Sequence, residues 1–282
     1  MPNIGSKILG VRSTGSLLGT HGVLTPDDTG SFLIDNLSVT PDFLWSVHQV
    51  NGLVTNCIRI RRTSDNAEQN IGFDENGYID TAGIATFIGG GSGYVVTFFN
   101  GAGDGNNGTE TTTTDQCLYG ATSGVDGQAG MTSPTTNNQA YALDSNITAY
   151  TESESYLGFT TGTTASTARY FNTIANRGYI ELTATAELRI HPTADIGSSG
   201  LIVNNSSDHL LRVNWDGSNA DFYDNATTAT TAYSTSPTAI THLIDTARDD
   251  AMSWLATFNQ ELSTADRAVI VSWYNDKFNK AL

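Results

Sequence analysis

The chain is poor in basic residues. It carries 13 Lys and Arg against 29 Asp and Glu, which gives a formal net charge of −16. A surface of this sign repels nucleic-acid phosphates and anionic lipid headgroups, so we predict no nucleic-acid partner and no membrane insertion. The charge suits a protein that must stay soluble at high local concentration, as a saline environment or a many-copy assembly would demand, and by itself it selects neither.

Long apolar runs and cysteines are also scarce. No run approaches the roughly 18 apolar residues of a membrane-spanning helix, and residues 1–7 lack the basic and apolar regions of a secretory signal. We therefore expect synthesis in the cytoplasm. The two cysteines, Cys57 and Cys117, allow at most one disulfide, and the sequence leaves open whether they pair.

Thr, Ser, Asn and Gly fill the chain instead, with 28 glycines and a hydrophobic fraction of 38%. This composition disfavours helices and favours short strands joined by turns. From Phe43 onward, strand-like segments recur between turn signals at intervals of roughly 8–12 residues, which is typical of an antiparallel sandwich. Residues 120–138 show no periodicity and are predicted to form a surface loop.

Two helices interrupt this pattern. Residues 80–88 are predicted to form a short helix, because Asp80 can cap its start and the glycines from Gly89 can end it. Near the C-terminus, Ser263 precedes Asp266 in the spacing of a helix cap. Apolar residues then follow at helical spacing: Val269, Ile270, Trp273, Tyr274 and Phe278.

Residues 1–40 consist of short apolar pieces cut by Gly, Ser, Thr and Pro. They are predicted to be either a docking arm, which attaches the domain to a neighbour, or a pair of edge strands of the same sandwich. The domain itself is predicted to span residues 41–282.

One part of the chain resembles a known family. The run Ile-Arg-Ile-Arg-Arg-Thr-Ser-Asp-Asn-Ala-Glu at residues 58–68, together with residues 71–73, 79–82 and 93–97, is similar to the catalytic domain of α-L-arabinofuranosidase B and to its relatives in bacteriophage structural proteins. Residues 257–267 resemble the ending of laminin-G-like, lectin-type sandwiches. The resemblance implies a concanavalin A-like antiparallel β-sandwich (jelly roll).

The chain departs from that family at two places. Where the family has Tyr-Asp-Gln-Ser-Gly-Asn-Gly-Asn, residues 99–106 read Phe-Asn-Gly-Ala-Gly-Asp-Gly-Asn, and the adjacent cysteine pair of the enzymes is absent. No catalytic residue can be carried over, and no pair of carboxylates stands out as the acid and nucleophile of a glycosidase. We expect a non-catalytic protein, although the sequence does not decide the point.

Six residues are the candidates for contact with a glycan or an ion. Asn100, Asp104, Asn106 and Asn107 lie in the Gly/Asn-rich loop. Their side-chain oxygens could bind Ca²⁺, or the Gly and Asn residues could serve only to form a tight turn. Trp215 and Tyr223 flank a predicted hairpin turn and are aromatic residues of the kind that stack on sugars. The five histidines have no metal-ligand spacing, so no metal or other cofactor is predicted apart from this calcium.

The basic strand at residues 58–62 has two interpretations. Its arginines, Arg59, Arg61 and Arg62, either bind an acidic sugar or pair with Asp and Glu residues across strands. The second interpretation is favoured because the chain is so acidic.

Three functions follow from these observations. The first is a bacteriophage virion structural protein of a tail, fibre or capsid, which assembles with copies of itself and with other virion proteins and contacts cell-surface carbohydrate. The second is a glycoside hydrolase acting on an arabinofuranosyl polysaccharide. The third is a free carbohydrate-binding module.

Overall fold

The computed structural model describes residues 32–133, 141–162, 166–173, 177–191, 196–203, 207–234, 239–246 and 248–282. These residues form eighteen strands, two α-helices and two single 3₁₀ turns. The all-β prediction, with one short helix and one C-terminal helix, is confirmed. Residues 1–31 of the predicted arm lie outside the described part of the chain.

The elements follow one another in a simple order. The helices are α1 (Thr81–Ile88) and α2 (Thr264–Lys277), and the 3₁₀ turns are Leu33–Asn36 and Val125–Gly127. The strands are β1 (Phe43–Ser46), β2 (Asn56–Arg62), β3 (Glu68–Gly72), β4 (Gly93–Phe98), β5 (Gly108–Thr109), β6 (Leu118–Gly120), β7 (Gly130–Thr132), β8 (Ala142–Ile147), β9 (Ser153–Thr160), β10 (Ala168–Thr173), β11 (Arg177–Leu182), β12 (Glu187–His191), β13 (Gly197–Ile202), β14 (Asp208–Trp215), β15 (Asn219–Asp224), β16 (Thr227–Ala232), β17 (Ile240–Thr246) and β18 (Ala251–Phe258).

Antiparallel pairing arranges these strands in two ladders. The front ladder runs β1-β18-β9-β14-β15-β16. The back ladder runs β3-β2-β4-β5-β8-β17-β10-β11-β12-β13. Strands β6 and β7 join β4 of the back ladder to β18 of the front ladder, so one side of the sandwich is closed.

Aromatic rings fill the space between the ladders. Trp45 of β1 meets Phe98 of β4 edge-on, with ring centroids 4.8 Å apart, and Phe98 meets Tyr141 at 4.7 Å. All three side chains are buried. Edge-to-face packing of this kind adds about 0.5–1.5 kcal/mol per pair to the free energy of burial.

Helix α2 covers the outer face of the front ladder. Its start is capped by Ser263, whose hydroxyl accepts from the backbone N–H of Asp266 at 3.1 Å. Ile270 and Tyr274 are buried, and the ring of Tyr274 lies 5.9 Å from that of Trp254 on β18. The predicted cap and apolar face are confirmed.

The segment just before β1 is tied to the same helix. Both carboxylate oxygens of Asp266 accept hydrogen bonds from Ser38, one from its backbone and one from its hydroxyl, each at 2.7 Å. Leu33 is buried, and the backbone N–H of Ile34 donates to the carbonyl of Val50. The described end of the predicted arm therefore packs against its own domain.

A buried cluster of charged residues fixes the position of the start of helix α2. Glu154 of β9 is fully buried and accepts from Arg267 of α2 at 2.7 Å and from the backbone N–H of Leu262 at 3.0 Å. This hydrogen bonding raises the pKa of the Arg267 guanidinium, despite the opposing effect of burial. A buried carboxylate is tolerated only with partners of this kind.

The structure corrects one loop prediction. Within residues 120–133, which were expected to run over the surface, Val125, Ala129 and Met131 are fully buried. Strand β7 pairs with both β6 and β18 in this segment. Local periodicity could not show this, because a three-residue strand is too short for an alternating pattern. Residues 134–138 of the predicted loop lie outside the described residues.

Both ends of helix α1 form as predicted. The side chain of Asp80 caps its start by accepting from the backbone N–H of Gly83 at 2.8 Å, and Gly89 ends it with φ +57°. Cys57 and Cys117 are separate free thiols, both buried. Among the described residues, no helix is both long enough and apolar enough to cross a membrane.

His48 connects α2 to the sandwich. Its ring is 5.1 Å from that of Phe278 and its Nε2 is 2.6 Å from the side-chain oxygen of Gln128, whose amide in turn donates to the carbonyl of Lys277. Burial lowers the pKa of His48 from 6.5 to about 4, and the charge of Lys277 acts in the same direction. His48 therefore stabilises the fold as a neutral ring.

We predict an acid-sensitive contribution to stability from His48. Because its pKa is lower in the folded chain, the unfolded chain takes up the proton first, and stability falls as the pH drops from 6.5 toward 4. Between pH 6.5 and pH 5 the loss is about 2 kcal/mol, at about 1.36 kcal/mol per pH unit. Urea unfolding across this window measures it. His48→Phe should flatten the dependence of the unfolding free energy on pH, and the control Gln49→Ala should not. An equal pH dependence in the parent protein and both variants would show that His48 is not the group responsible.

Candidate functional site

The Gly/Asn-rich loop connects β4 to β5 at one end of the sandwich. Gly103 and Gly105 have φ values of +89° and +79°, a region that other residues rarely adopt. These glycines let the chain reverse direction within a few residues. The loop is thereby brought beside the end of β8 and the start of β1.

Asn100 is the centre of this loop. It is 2% exposed, and its side-chain oxygen accepts from the backbone N–H groups of Leu44 and Ala102, each at 3.0 Å. Its side-chain amide donates to Asp104 at 2.7 Å and to the carbonyl of Asp42 at 3.2 Å. Asn100 therefore fixes the loop to β1 and has no exposed surface for a ligand.

Asn106 and Asn107 bind the loop to β8. The side-chain oxygen of Asn106 accepts from the backbone of Ser145 at 2.8 Å, and the side chain of Asn107 lies between the backbone N–H of Asn100 and the carboxylate of Asp144. One oxygen of Asp104 accepts from Asn100 and from the backbone of Asn106. Most of the oxygens expected as calcium ligands thus already accept hydrogen bonds from the protein.

A polar cleft of about 380 Å³ opens beside this loop. Asp104 and Asn106 line one side of it. Three further segments contribute polar side chains, among them Asp42 just before β1, Asn146 and Tyr150 at and beyond the end of β8, and Asn259 just after β18. The cleft is built from the ends of strands that belong to both ladders.

Asp42 is the most unusual carboxylate of the cleft. It accepts a hydrogen bond from the hydroxyl of Tyr150 at 3.1 Å. Burial raises the pKa of Asp42 and the charge of Asp104 adds to the rise, although Tyr150 and the backbone of Asn259 oppose it. Burial also raises the pKa of Tyr150 well above its ordinary value, so the phenol stays protonated as the donor.

The cleft can recognise a ligand by hydrogen bonding but not by stacking. Its carboxylates accept hydrogen bonds, and the amides of Asn146 and Asn259 both donate and accept, which suits the hydroxyls of a polyol. The ring of Tyr150 is 4% exposed and offers no face to a ligand. Two acidic side chains in one cleft favour a neutral ligand over an anionic one.

The structure places Trp215 and Tyr223 elsewhere. Trp215 is 2% exposed and its indole N–H donates to the carbonyl of Tyr233 at 2.8 Å, as in a core residue. Tyr223 is half-buried on the outer face of the front ladder, where the guanidinium of Arg212 lies 3.3 Å from its ring centre. Neither residue lines the cleft.

The arginines of β2 pair within the chain. Arg62 forms a two-point contact with Asp65, the closer at 2.7 Å, and Arg59 lies 4.0 Å from Glu68. Arg61 is buried and donates to the side chain of Gln116 at 2.8 Å. Arg59 thus pairs with an acid across strands as predicted, whereas Arg62 pairs within the turn after β2 and Arg61 donates to neutral oxygens.

Of the residues that line the cleft, Asp104 and Asn106 were predicted from the sequence and those of the other walls were missed. Asp42, Asn146, Tyr150 and Asn259 are isolated polar residues without a motif. Asp42 directly precedes β1 and Asn259 directly follows β18, whereas Asn146 lies within β8 and Tyr150 in the connection from β8 to β9. Within the described residues, no three or more His, Cys, Asp or Glu side chains are grouped so that they could hold a metal ion.

Comparison with known proteins shows the fold. No family model matches the sequence, and no curated protein matches it. Among solved structures, an arabinofuranosidase in complex with arabinofuranosyl-α-1,2-xylobiose superimposes with a TM-score of 0.61 at 13% identity, covering 82% of this chain and 62% of that enzyme. A GH54 α-L-arabinofuranosidase soaked with a cyclic sulfate inhibitor gives 0.58 at 12% identity, covering 82% of this chain and 63% of the enzyme. The chain thus spans less than two thirds of these enzymes.

We predict that Asn100 stabilises the loop. Asn100→Ala leaves the buried N–H groups of Leu44 and Ala102 without their acceptor, which should lower the free energy of unfolding by about 2–4 kcal/mol. Chemical denaturation measures the change. Asn76→Ala, at an exposed turn between β3 and α1, is the matched control and should change stability by less than about 0.5 kcal/mol. Equal effects would show that the loop does not depend on Asn100.

Proposed function

We propose that this chain is a non-catalytic, carbohydrate-binding β-sandwich of a bacteriophage virion, and that the cleft beside the Gly/Asn-rich loop binds a neutral glycan. The observation that carries the glycan site is the cleft itself. It combines the carboxylates of Asp42 and Asp104 with the amides of Asn106, Asn146 and Asn259 in about 380 Å³. A volume of this order suits a small ligand.

The two exposed amides make the sharpest test of glycan binding. Asn146→Ala and Asn259→Ala should each weaken binding about 5- to 30-fold, because a lost hydrogen bond to a sugar costs about 1–2 kcal/mol. Neither side chain holds the loop, so the fold should be unaffected. The measurement is calorimetric titration with arabinofuranosyl-α-1,2-xylobiose and with hits from an array of neutral and acidic glycans, each with calcium and with a chelator.

Asn76→Ala is the control for these titrations and should bind like the parent protein. Loss of binding in the presence of chelator would show that calcium takes part. Failure of the parent protein to bind any glycan on the array, or unchanged affinity in both cleft variants, would overturn the proposed site.

Glycoside hydrolysis is the second candidate, and one observation favours it. Asp42 is a carboxyl with a raised pKa beside a second carboxylate, Asp104. Glycosidases use such a pair, with one group as the acid and the other as nucleophile or base. The fold shared with arabinofuranosidases makes 4-nitrophenyl α-L-arabinofuranoside the substrate to test. If the parent protein releases nitrophenol and Asp42→Asn does not, the chain is a glycoside hydrolase and the non-catalytic proposal is wrong.

The virion role has separate support. The run at residues 58–68 resembles the phage branch of the family, and the net charge of −16 suits a protein packed in many copies. We expect the full chain to form a symmetric homo-oligomer in light scattering. Antibodies raised against it should label phage particles at regularly repeated positions in electron micrographs. A monomer whose antibodies label no particle would contradict the role.

A further inference from the structure

Three side chains at the far end of the front ladder form a continuous hydrogen-bonded chain. The hydroxyl oxygen of Ser207 lies 2.8 Å from Nε2 of His209. The other ring nitrogen of His209, Nδ1, lies 2.6 Å from a carboxylate oxygen of Asp224. This is the order of a nucleophile, a base and an orienting acid, with both distances in the range that such chemistry needs.

The hydrogen-bond partners of His209 select the tautomer of its neutral ring. A carboxylate accepts hydrogen bonds, so in the neutral ring Nδ1 carries the proton that is donated to Asp224. Nε2 is then the lone-pair nitrogen, and it faces the hydroxyl of Ser207. This is the tautomer that a general base requires when it takes a proton from a serine.

The fold holds the imidazole firmly. His209 is 3% exposed, its ring lies 5.6 Å from that of Phe159 on the neighbouring strand β9, and its carbonyl accepts from the hydroxyl of Tyr274 on α2. Asp224 ends β15, and its side chain is 12% exposed. Ser207 precedes β14 and is half-buried. The base is thus enclosed, while Ser207 as a whole residue is more exposed than His209.

This triad is distant from the glycan cleft. In the register of β9 with β14, Ser153 pairs with Trp215 near the cleft, whereas Thr160 pairs with Asp208 beside the triad. The two sites therefore occupy opposite ends of an eight-residue strand, about 25 Å apart at about 3.4 Å per residue. A result at one site does not depend on the other.

We propose that Ser207, His209 and Asp224 form a hydrolytic site for carboxylic esters. Ser207 is the nucleophile, His209 the general base and acid, and Asp224 the positioning residue that holds the imidazole in its tautomer. The inference goes beyond the glycan binding proposed above and uses none of the cleft residues.

The reaction balances with water as the co-reactant. The Ser207 oxygen bonds to the ester carbonyl carbon while its proton moves to Nε2 of His209. The bond from that carbon to the alcohol oxygen breaks, and His209 returns the proton to the departing alcohol. Water then attacks the acyl-serine in the same way, which releases the carboxylic acid and restores Ser207.

The test is covalent labelling of the intact full-length protein. A fluorophosphonate probe should add to the parent protein once, with loss of fluoride, and peptide mass spectrometry should place it on Ser207. The protein should also hydrolyse 4-nitrophenyl acetate. Ser207→Ala should abolish the label, and Asp224→Asn, which keeps the shape of the side chain, should slow labelling and hydrolysis by at least roughly 100-fold.

Ser218→Ala removes an exposed serine from the hairpin turn between β14 and β15 and should change neither rate. Thermal unfolding of each variant checks that the fold is retained. The labelling of the parent protein needs no variant and decides the question even if a variant does not fold. Absence of label on Ser207, or an equal labelling rate in Asp224→Asn, would show that the three residues are a structural hydrogen-bond chain and would overturn the proposal.

Discussion

The fold depends on the burial of β18 on both of its faces. All eight of its residues are buried. One face of the strand packs into the space between the ladders, and the other carries Trp254 under helix α2. Its edges pair with β1 and β9 along most of their length, and with β7 at its start. A strand enclosed in this way needs a helix on the outside, because its outward apolar side chains would otherwise face water.

The enclosed strand determines where polar chemistry can occur. Side chains along its length contact other protein groups, so the polar groups next to β18 that can reach solvent lie beyond its ends. At one end, Asp42 and Asn259 flank the pairing of β1 with β18 and line the cleft. At the other end, Ser207 and Asp224 flank β14 and β15. Strand ends position these groups precisely while leaving them near solvent.

The loop that departs from the arabinofuranosidase pattern holds a network of hydrogen bonds beside the cleft. Its asparagines are bound to the backbone of β1 and to β8, so the change in sequence is accompanied by a closed network of hydrogen bonds. The loop thus forms one wall of the cleft, and other polar groups of the cleft come from the neighbouring strand ends.

Two parts of the structure were predictable from the sequence for different reasons. The C-terminal helix was predictable because its cap and its apolar spacing are local, and β2 because Ile58 and Ile60 alternate with arginines. Strand β7 was not, since it is only three residues long and one of its two partners, β18, lies more than 100 residues away in the sequence. In the cleft, Asp104 and Asn106 were predictable from a loop of unusual composition, whereas Asn146 and Asn259 carry no local pattern.

The sequence by itself determined the fold class and both helices, because periodicity and capping act between near neighbours. Only the tertiary structure decided which polar residues meet. The walls of the cleft come from segments spread between residues 42 and 259, and the chain from Ser207 to Asp224 forms because two antiparallel strands place their ends side by side. Such meetings depend on strand order and register, which no stretch of sequence contains.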